Sequence, residues 1–243
     1  MEDKLYAVIS TREENDKIEA FSKHVEETCG CDITVIVAVN HDSIGLTEVY
    51  NRATESEGLK DKIVVYMHDD IEFMRNGWGK EILRLFNEHE DYGIIGVAGS
   101  AEFNKSEAAW WRYKRIFGQV MHRKDNKTWL TQFSPLLDHD LEEVCVVDGL
   151  FMAVHNGRCK SEWDSENFKF QFYDIAFCLD NYIQGVKVGV TTNIRISHNS
   201  VGELKPEWYQ AKDIFMDKYD DVLPVAIKQK QNFRKNGKSK RKR

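Results

Sequence analysis

Proline is scarce in this chain of 243 residues: there are three, and they do not gather into a linker. With no Pro-rich stretch and no internal repeat, the sequence offers no seam for dividing it into several units. It also lacks any run of 18 apolar residues, so no transmembrane helix is expected. The opening segment MEDKLYAVISTREEND has neither a basic leader region nor an apolar core, so no signal peptide is expected. Cysteine is sparse and irregularly spaced, with five residues at 29, 31, 145, 159 and 178. An odd number without framework spacing suggests reduced thiols in a cytoplasm. Cys29 and Cys31 form a C-x-C pair, but no second Cys or His pair stands at zinc-finger spacing.

Acidic residues are absent from the last stretch. Residues 228–243 hold nine Lys or Arg and no acid, which leaves residues 1–227 at −15 against −6 for the whole chain. The segment FRKNGKSKRKR has the composition of a solvated, disordered tail. It has two readings, a solubilising end or an electrostatic contact with an anionic membrane surface at the inner face of the membrane. Nucleic acid is not an expected partner, because phosphate would be repelled by the acidic body.

What remains has the makings of one medium-sized domain over residues 1–227. Its length buries a core without needing a metal or disulfides. Hydrophobic content of 42% and charged content of 30% are ordinary for a globular protein. Strand character appears at 5–10, at 32–40 (DITVIVAVN), at 62–67 and at 92–100 (YGIIGVAGS). Helical spacing appears between them: Ile18, Phe21 and Val25 before Gly30, then Leu46 to Ala53, then Trp78 to His89. Four β-then-α steps in 100 residues predict a Rossmann-like, mostly parallel sheet flanked by helices. The apolar run at 32–40 is expected to lie in that sheet with both faces covered.

Residues 101–143 carry many charges and three Trp, and are expected to be an irregular excursion. Beyond it, EVCVVDGLFMAVH (143–155) is an apolar strand interrupted by Asp148 and Gly149. FYDIAFCLDNYIQG (172–185) is a helix, 186–200 returns to strand character, and 207–219 is a last helix.

Sheets of this kind bind ligands beyond the carboxyl ends of their strands. That rule gathers Ser10, Thr11 and Arg12, then Asn40, His41 and Asp42, then His68, Asp69 and Asp70, then Gly99 and Ser100. The third group is the most demanding. IVVYMHDDIEF sets two adjacent carboxylates at the end of a buried strand, where desolvation and mutual repulsion both cost free energy. A divalent cation would offset that repulsion, and hard oxygen ligands suit Mg2+ or Mn2+. One carboxylate at a strand end would ordinarily cap a turn.

The order of motifs resembles the GT-A glycosyltransferases, and in particular the family-2-like bacterial nucleotide-sugar transferases. HDDI (68–71) stands where that group carries its D-x-D signature, with His68 in the place of the first acid. FNKSEAAWWRYKRIFGQV resembles the Trp-Trp segment of one subgroup, VVDGLFMAV its V-D-G-L strand, FYDIAFCLD its F-Y-D helix start and ISHNSVG its closing His. The similarity runs from residue 5 to about 202. It implies a GT-A fold and transfer of a sugar, with inversion, from a nucleotide-diphosphate donor to a hydroxyl acceptor. The acceptor is left open between a glycan, a lipid-linked sugar and a protein.

By the same resemblance Asp70 and His198 would hold the Mn2+ or Mg2+. Asp69 would sit near the ribose or assist the metal. Ser10, Thr11, Arg12, Asn40, Asp42 and Asn51 would hold the nucleotide. Asp174 would take the proton of the acceptor hydroxyl. Read from the residues alone, His198 is also a hydrogen-bonded structural histidine, and Asp174 also a helix N-cap. Asp148 and Gly149 are either a donor-sugar contact or a β-bulge. Trp110 and Trp111 either stack on a sugar or anchor the excursion. Two other functions stay open: a non-catalytic nucleotide-sugar-binding protein, and a nucleotidyltransferase. The latter would ordinarily show a Gly-rich basic loop after the first strand, where this chain has STREEND.

Overall fold

The computed structural model describes residues 4–12, 15–41, 43–200 and 204–228. In chain order the first half runs β1 (Lys4–Thr11), α1 (Asp16–Cys29), β2 (Asp32–Val39), α2 (Leu46–Ser56), β3 (Ile63–Met67), β4 (Ile71–Phe73), α3 (Trp78–Glu88), β5 (Tyr92–Gly96), β6 (Ala98–Ser100) and β7 (Glu102–Phe103). A 3-10 turn, Trp110–Arg112, precedes β8 (Ile116–Lys124), β9 (Lys127–Gln132), β10 (Glu142–Val144), β11 (Val146–Val147) and β12 (Phe151–His155). The chain continues through α4 (Tyr173–Tyr182), β13 (Lys187–Val190), β14 (Ile196–His198), α5 (Pro206–Lys218) and β15 (Val225–Ala226).

Seven strands form the main sheet in the order β10-β13-β5-β12-β3-β1-β2. β2 and β3 run parallel to β1, and β13 runs parallel to β5, while β12 is antiparallel to both β3 and β5 and β10 is antiparallel to β13. Five strands therefore share one direction, and the expected mostly parallel sheet is present. β3 lies inside the sheet between β12 and β1, with Ile63 to Met67 all buried. α1 starts where the Asn15 side chain accepts from the Lys17 and Ile18 amides, and ends at Gly30 in the left-handed conformation (φ 81°). Ile18, Phe21 and Val25 face the core, as their spacing requires.

Three expectations need correction. The run at 32–40 is not covered on both faces: β2 is the edge strand, paired only with β1, and Val37 and Val39 are exposed. β-branched residues suit an edge as well as a centre, so composition could not separate the two. The strand at 92–100 is two strands, because the chain leaves the main sheet at Val97 and β6 joins a second sheet, β11-β6-β8-β14-β4. Gly99 makes that crossing possible, since a Cβ there would lie 2.2 Å from the Val146 carbonyl oxygen. Ser100 is consequently fully buried, bonded to the Glu102 carbonyl (2.8 Å), and does not face the crevice.

The third correction concerns residues 101–143, which are not irregular throughout. β8 and β9 form a long antiparallel hairpin with Asp125 and Asn126 at its turn, both at positive φ (51° and 62°). The basic tail lies almost wholly in residues 229–243, outside the described residues. Among the described residues, no helix is long and apolar enough to cross a membrane.

Candidate active site

The site begins where β3 runs out. The His68 amide still bonds the Leu150 carbonyl (3.1 Å), which continues the β3–β12 pairing by one residue. The chain then crosses to the second sheet, where the Asp70 carbonyl accepts the Asn199 amide (2.9 Å) and Ile71 pairs with His198. The two carboxylates thus occupy a junction between sheets. Asp69 is exposed there, and Asp70 is half-buried.

Asp70 Oδ1 lies 3.1 Å from His198 Nε2 and 4.0 Å from His68 Nδ1. Ligand atoms of these three residues all fall within 4.8 Å of one another. His198 Nε2 also meets the Ser200 hydroxyl at 3.0 Å. Burial alone would raise the Asp70 carboxyl, but the His198 hydrogen bond and the nearby imidazoles outweigh it and bring the pKa to about 2. Burial would lower His198, and the bond to Asp70 reverses that, so its pKa is raised. Burial does lower His68, and keeps it in the neutral form that can ligate a metal. The His68 Nε2 is paired with the Tyr173 hydroxyl at 3.0 Å. With the ring hydrogen on Nε2, the Nδ1 lone pair faces Asp70. Such an outer partner fixes the tautomer of a ligating histidine.

Close enough to act on His68 and His198, Asp148 and Gly149 sit between β11 and β12. Asp148 Oδ1 accepts the Leu150 amide (2.9 Å), and the Gly149 amide donates to Asp174 Oδ2 (2.8 Å). Gly149 is required because a Cβ would fall 2.1 Å from the Tyr173 hydroxyl oxygen and 3.0 Å from Asp174 Cβ. The close approach that this glycine permits is therefore that of α4. α4 starts at Tyr173, after Phe172 at φ 62°, a conformation that costs a non-glycine residue about 1–3 kcal/mol. Phe172 is held there by Phe215 and Trp208, with ring centroids 5.0 and 5.1 Å away. Asp174 is thus a first-turn residue of the helix, and not its N-cap. Burial and then the charge of Asp148 raise its pKa to about 7. Asp148 also acts electrostatically on His68, His198 and His122, so it links both halves of the crevice.

The remaining expected residues divide. Ser10, Thr11 and Arg12 lie at the end of β1, where the Thr11 carbonyl accepts the Asn40 amide (2.7 Å). Asn40 is buried and organises the following turn, bonding Ile44 and Ser43 through its side chain. Asp42 lies outside the described residues. Asn51 is not brought to the crevice. Its amide makes two bonds to the Trp163 backbone (2.7 and 3.1 Å), beside a 380 Å³ cavity between α2 and residues 156–163. Trp110 and Trp111 separate: Trp110 is buried against Phe133, whereas Trp111 is 38% exposed.

Two residues of the site were not singled out from sequence. Tyr173 stands inside the FYD segment, directly before the acid. His122 lies beside His198 (ring centroids 6.1 Å) in a strand whose charges masked its alternation. The KDNK turn after it was the usable signal.

A sheet carrying carboxylates and imidazoles at its strand ends, with a second sheet folded across them, defines a GT-A glycosyltransferase architecture. The chain matches the family described as "Glycosyltransferase like family" over residues 7–222, and it belongs to that family. No curated protein matches the chain. Among solved structures, GalNAc-T7, determined with UDP, GalNAc and Mn2+, superimposes with a TM-score of 0.52 at 10% identity. That match covers 90% of this chain and 49% of GalNAc-T7, so the chain spans about half the length of that relative. A197 from STIV gives a TM-score of 0.47 at 12% identity, over 82% of this chain and 87% of its own.

Proposed function

We propose that this glycosyltransferase moves a sugar from a nucleoside-diphosphate donor to a hydroxyl acceptor, with inversion and with help from a divalent cation. The observation that carries the reading is the convergence of Asp70, His198 and His68 on one point, joined through the His68–Tyr173 bond to the helix start that holds Asp174, whose pKa is raised to about 7. The donor set suits a cation. His198 Nε2, 3.1 Å from Asp70 Oδ1, would give up its proton and turn its lone pair to the cation, and His68 is held neutral and oriented by Tyr173. One carboxylate and two imidazoles favour Mn2+ over Mg2+. A bound cation would supply Lewis-acid neutralisation of the charge developing on the leaving diphosphate. Mn2+ accompanies UDP and GalNAc in the GalNAc-T7 structure, which shares the fold.

The protein's own groups divide the remaining work. Ser10, Thr11, Arg12 and Asn40, with Asp42 and Asp69, would hold the nucleoside. Asp148 would accept a hydroxyl of the donor sugar. Asp174, half deprotonated near neutral pH, would take the acceptor proton. Attack from that side, opposite the leaving diphosphate, inverts the anomeric carbon. Residues 1–227 would form the catalytic domain, working in the cytoplasm. The basic tail would hold it to the inner face of the membrane, where a lipid-linked acceptor is presented.

The test is calorimetric titration of the full chain with UDP and GDP, with and without Mn2+. Binding should require Mn2+, and Asp70→Ala should weaken it by about tenfold or more. Equal affinity without Mn2+ or in the variant would contradict the metal assignment.

A further inference from the structure

The second sheet carries a row of rings that starts at His198 and continues beyond the residues that the reaction above uses. His198 in β14 is in register with His122 in β8, and His122 is in register with Trp129 in β9. Residues directly opposite in adjacent strands share a face, so these three side chains form one lateral rung. His198 stands 5.6 Å from His68 between ring centroids, His122 stands 6.1 Å from His198, and Trp129 stacks on His122 at 5.5 Å with 24° between planes. His122 is steadied by the Ser200 carbonyl, 3.4 Å from its Nδ1.

Exposure rises along the rung. The His198 side chain is 12% exposed, His122 is half-buried, and Trp129 is 39% exposed. The rung therefore starts at the Asp70 cluster and ends in solvent on a flat apolar ring, one face of which His122 supports. Val120, two residues before His122 on the same face of β8, is buried, so the rung carries that inner face outward from the core to solvent. Leu130, the next residue, belongs to the opposite face of the sheet, where its partner is Met121.

We infer that Trp129 is the platform for a pyranose ring of the acceptor, with His122 as its positioning residue. This rests on the glycosyl-transfer reading and adds the substrate class: the acceptor presents a sugar. A pyranose has an apolar C–H face that fits an indole and hydroxyls that stay in water around it. The nucleoside belongs elsewhere, at the ends of β1 and β2 in the other sheet. One imidazole separates Trp129 from His198, so a sugar resting on the indole adjoins the transfer site.

The test uses the full chain saturated with UDP or GDP and Mn2+. A panel of methyl pyranosides (glucose, galactose, mannose and N-acetylglucosamine) is added, and contact is read by saturation-transfer NMR. Wild type should bind at least one pyranoside. Trp129→Ala should weaken that binding by about tenfold or more, and Trp129→Phe by only a few-fold. Leu130→Ala should leave it unchanged, and nucleoside-diphosphate affinity should be equal in all variants. Three results would overturn the inference: wild type binds no pyranoside, Trp129→Ala matches wild type, or that variant loses nucleotide affinity. Wild type failing to bind either nucleoside diphosphate would overturn the donor reading, and this inference with it.

Discussion

Asp70 and Asp174 are linked through the His68–Tyr173 bond and through Asp148, and burial pushes both carboxyls upward. Asp70 nevertheless ends at about 2, and Asp174 at about 7. The difference lies in their neighbours. Asp70 has the imidazoles of His198 and His68 beside it, while Asp174 has another acid, Asp148. The comparison teaches that burial alone assigns no role. A carboxylate hydrogen-bonded to an imidazole whose own pKa is raised stays charged and suits a metal or a diphosphate, whereas one placed beside an acid keeps its proton until near neutrality and suits proton transfer.

The largest expected effect comes from removing the acid–base half of the comparison. Asp174→Asn should lower turnover by about 10²-fold or more while nucleoside-diphosphate affinity stays unchanged. The same change should stabilise the fold at pH 8. The raised pKa means that the folded protein favours the protonated carboxyl. Its contribution is full below the ordinary value near 3.8 and is lost as pH rises through about 7. Thermal melts of both proteins at pH 5 and pH 8 check this, and a lower melting temperature for the variant at pH 8 would count against it.

Gly149→Ala should have the next largest effect. The added methyl meets the Tyr173 hydroxyl, so relief must move either α4 or the His68–Tyr173 bond. Turnover should drop by about tenfold or more, with a stability loss of about 1–3 kcal/mol. Denaturant melts and rate measurements together separate the two. Asn51→Ala should have the smallest effect on function. It removes both bonds to the Trp163 backbone, costing about 1–3 kcal/mol of stability, and should leave nucleotide affinity within about twofold. A large loss of affinity would instead bring Asn51 to the nucleotide.

Much of this contrast is legible in the sequence. A fully buried β3 ending in HDD announces an electrostatic cost, and an acid at the start of the α4 segment can be read as cap or base. Helix α1 is legible from Ile18, Phe21 and Val25 with Gly30 at its end. What stayed hidden depends on long-range contacts. Nothing local distinguishes Trp110, packed on Phe133, from its exposed neighbour Trp111. Asn51 sits on a helix edge that suits either a nucleotide or a loop, and its bond to Trp163, 112 residues away, leaves no local trace in the sequence. The β8–β9 hairpin was obscured because its outer strand is mostly exposed, so charges and aromatics alternate without an apolar face. Asp148 shows the limit most clearly. Its place in VVDGL marks a break in a strand, but its influence on three histidines and on Asp174 exists only once two sheets have met.

The central claim is that two linked carboxyls, Asp70 and Asp174, are driven in opposite directions, and carboxyl-carbon NMR titration of the metal-free full chain tests it most directly. Asp174, assigned through the loss of its signal in Asp174→Asn, should titrate near pH 7, while Asp70 should remain ionised down to about pH 2. If both titrate together near the ordinary value of 3.8, the division of labour proposed for this site is wrong.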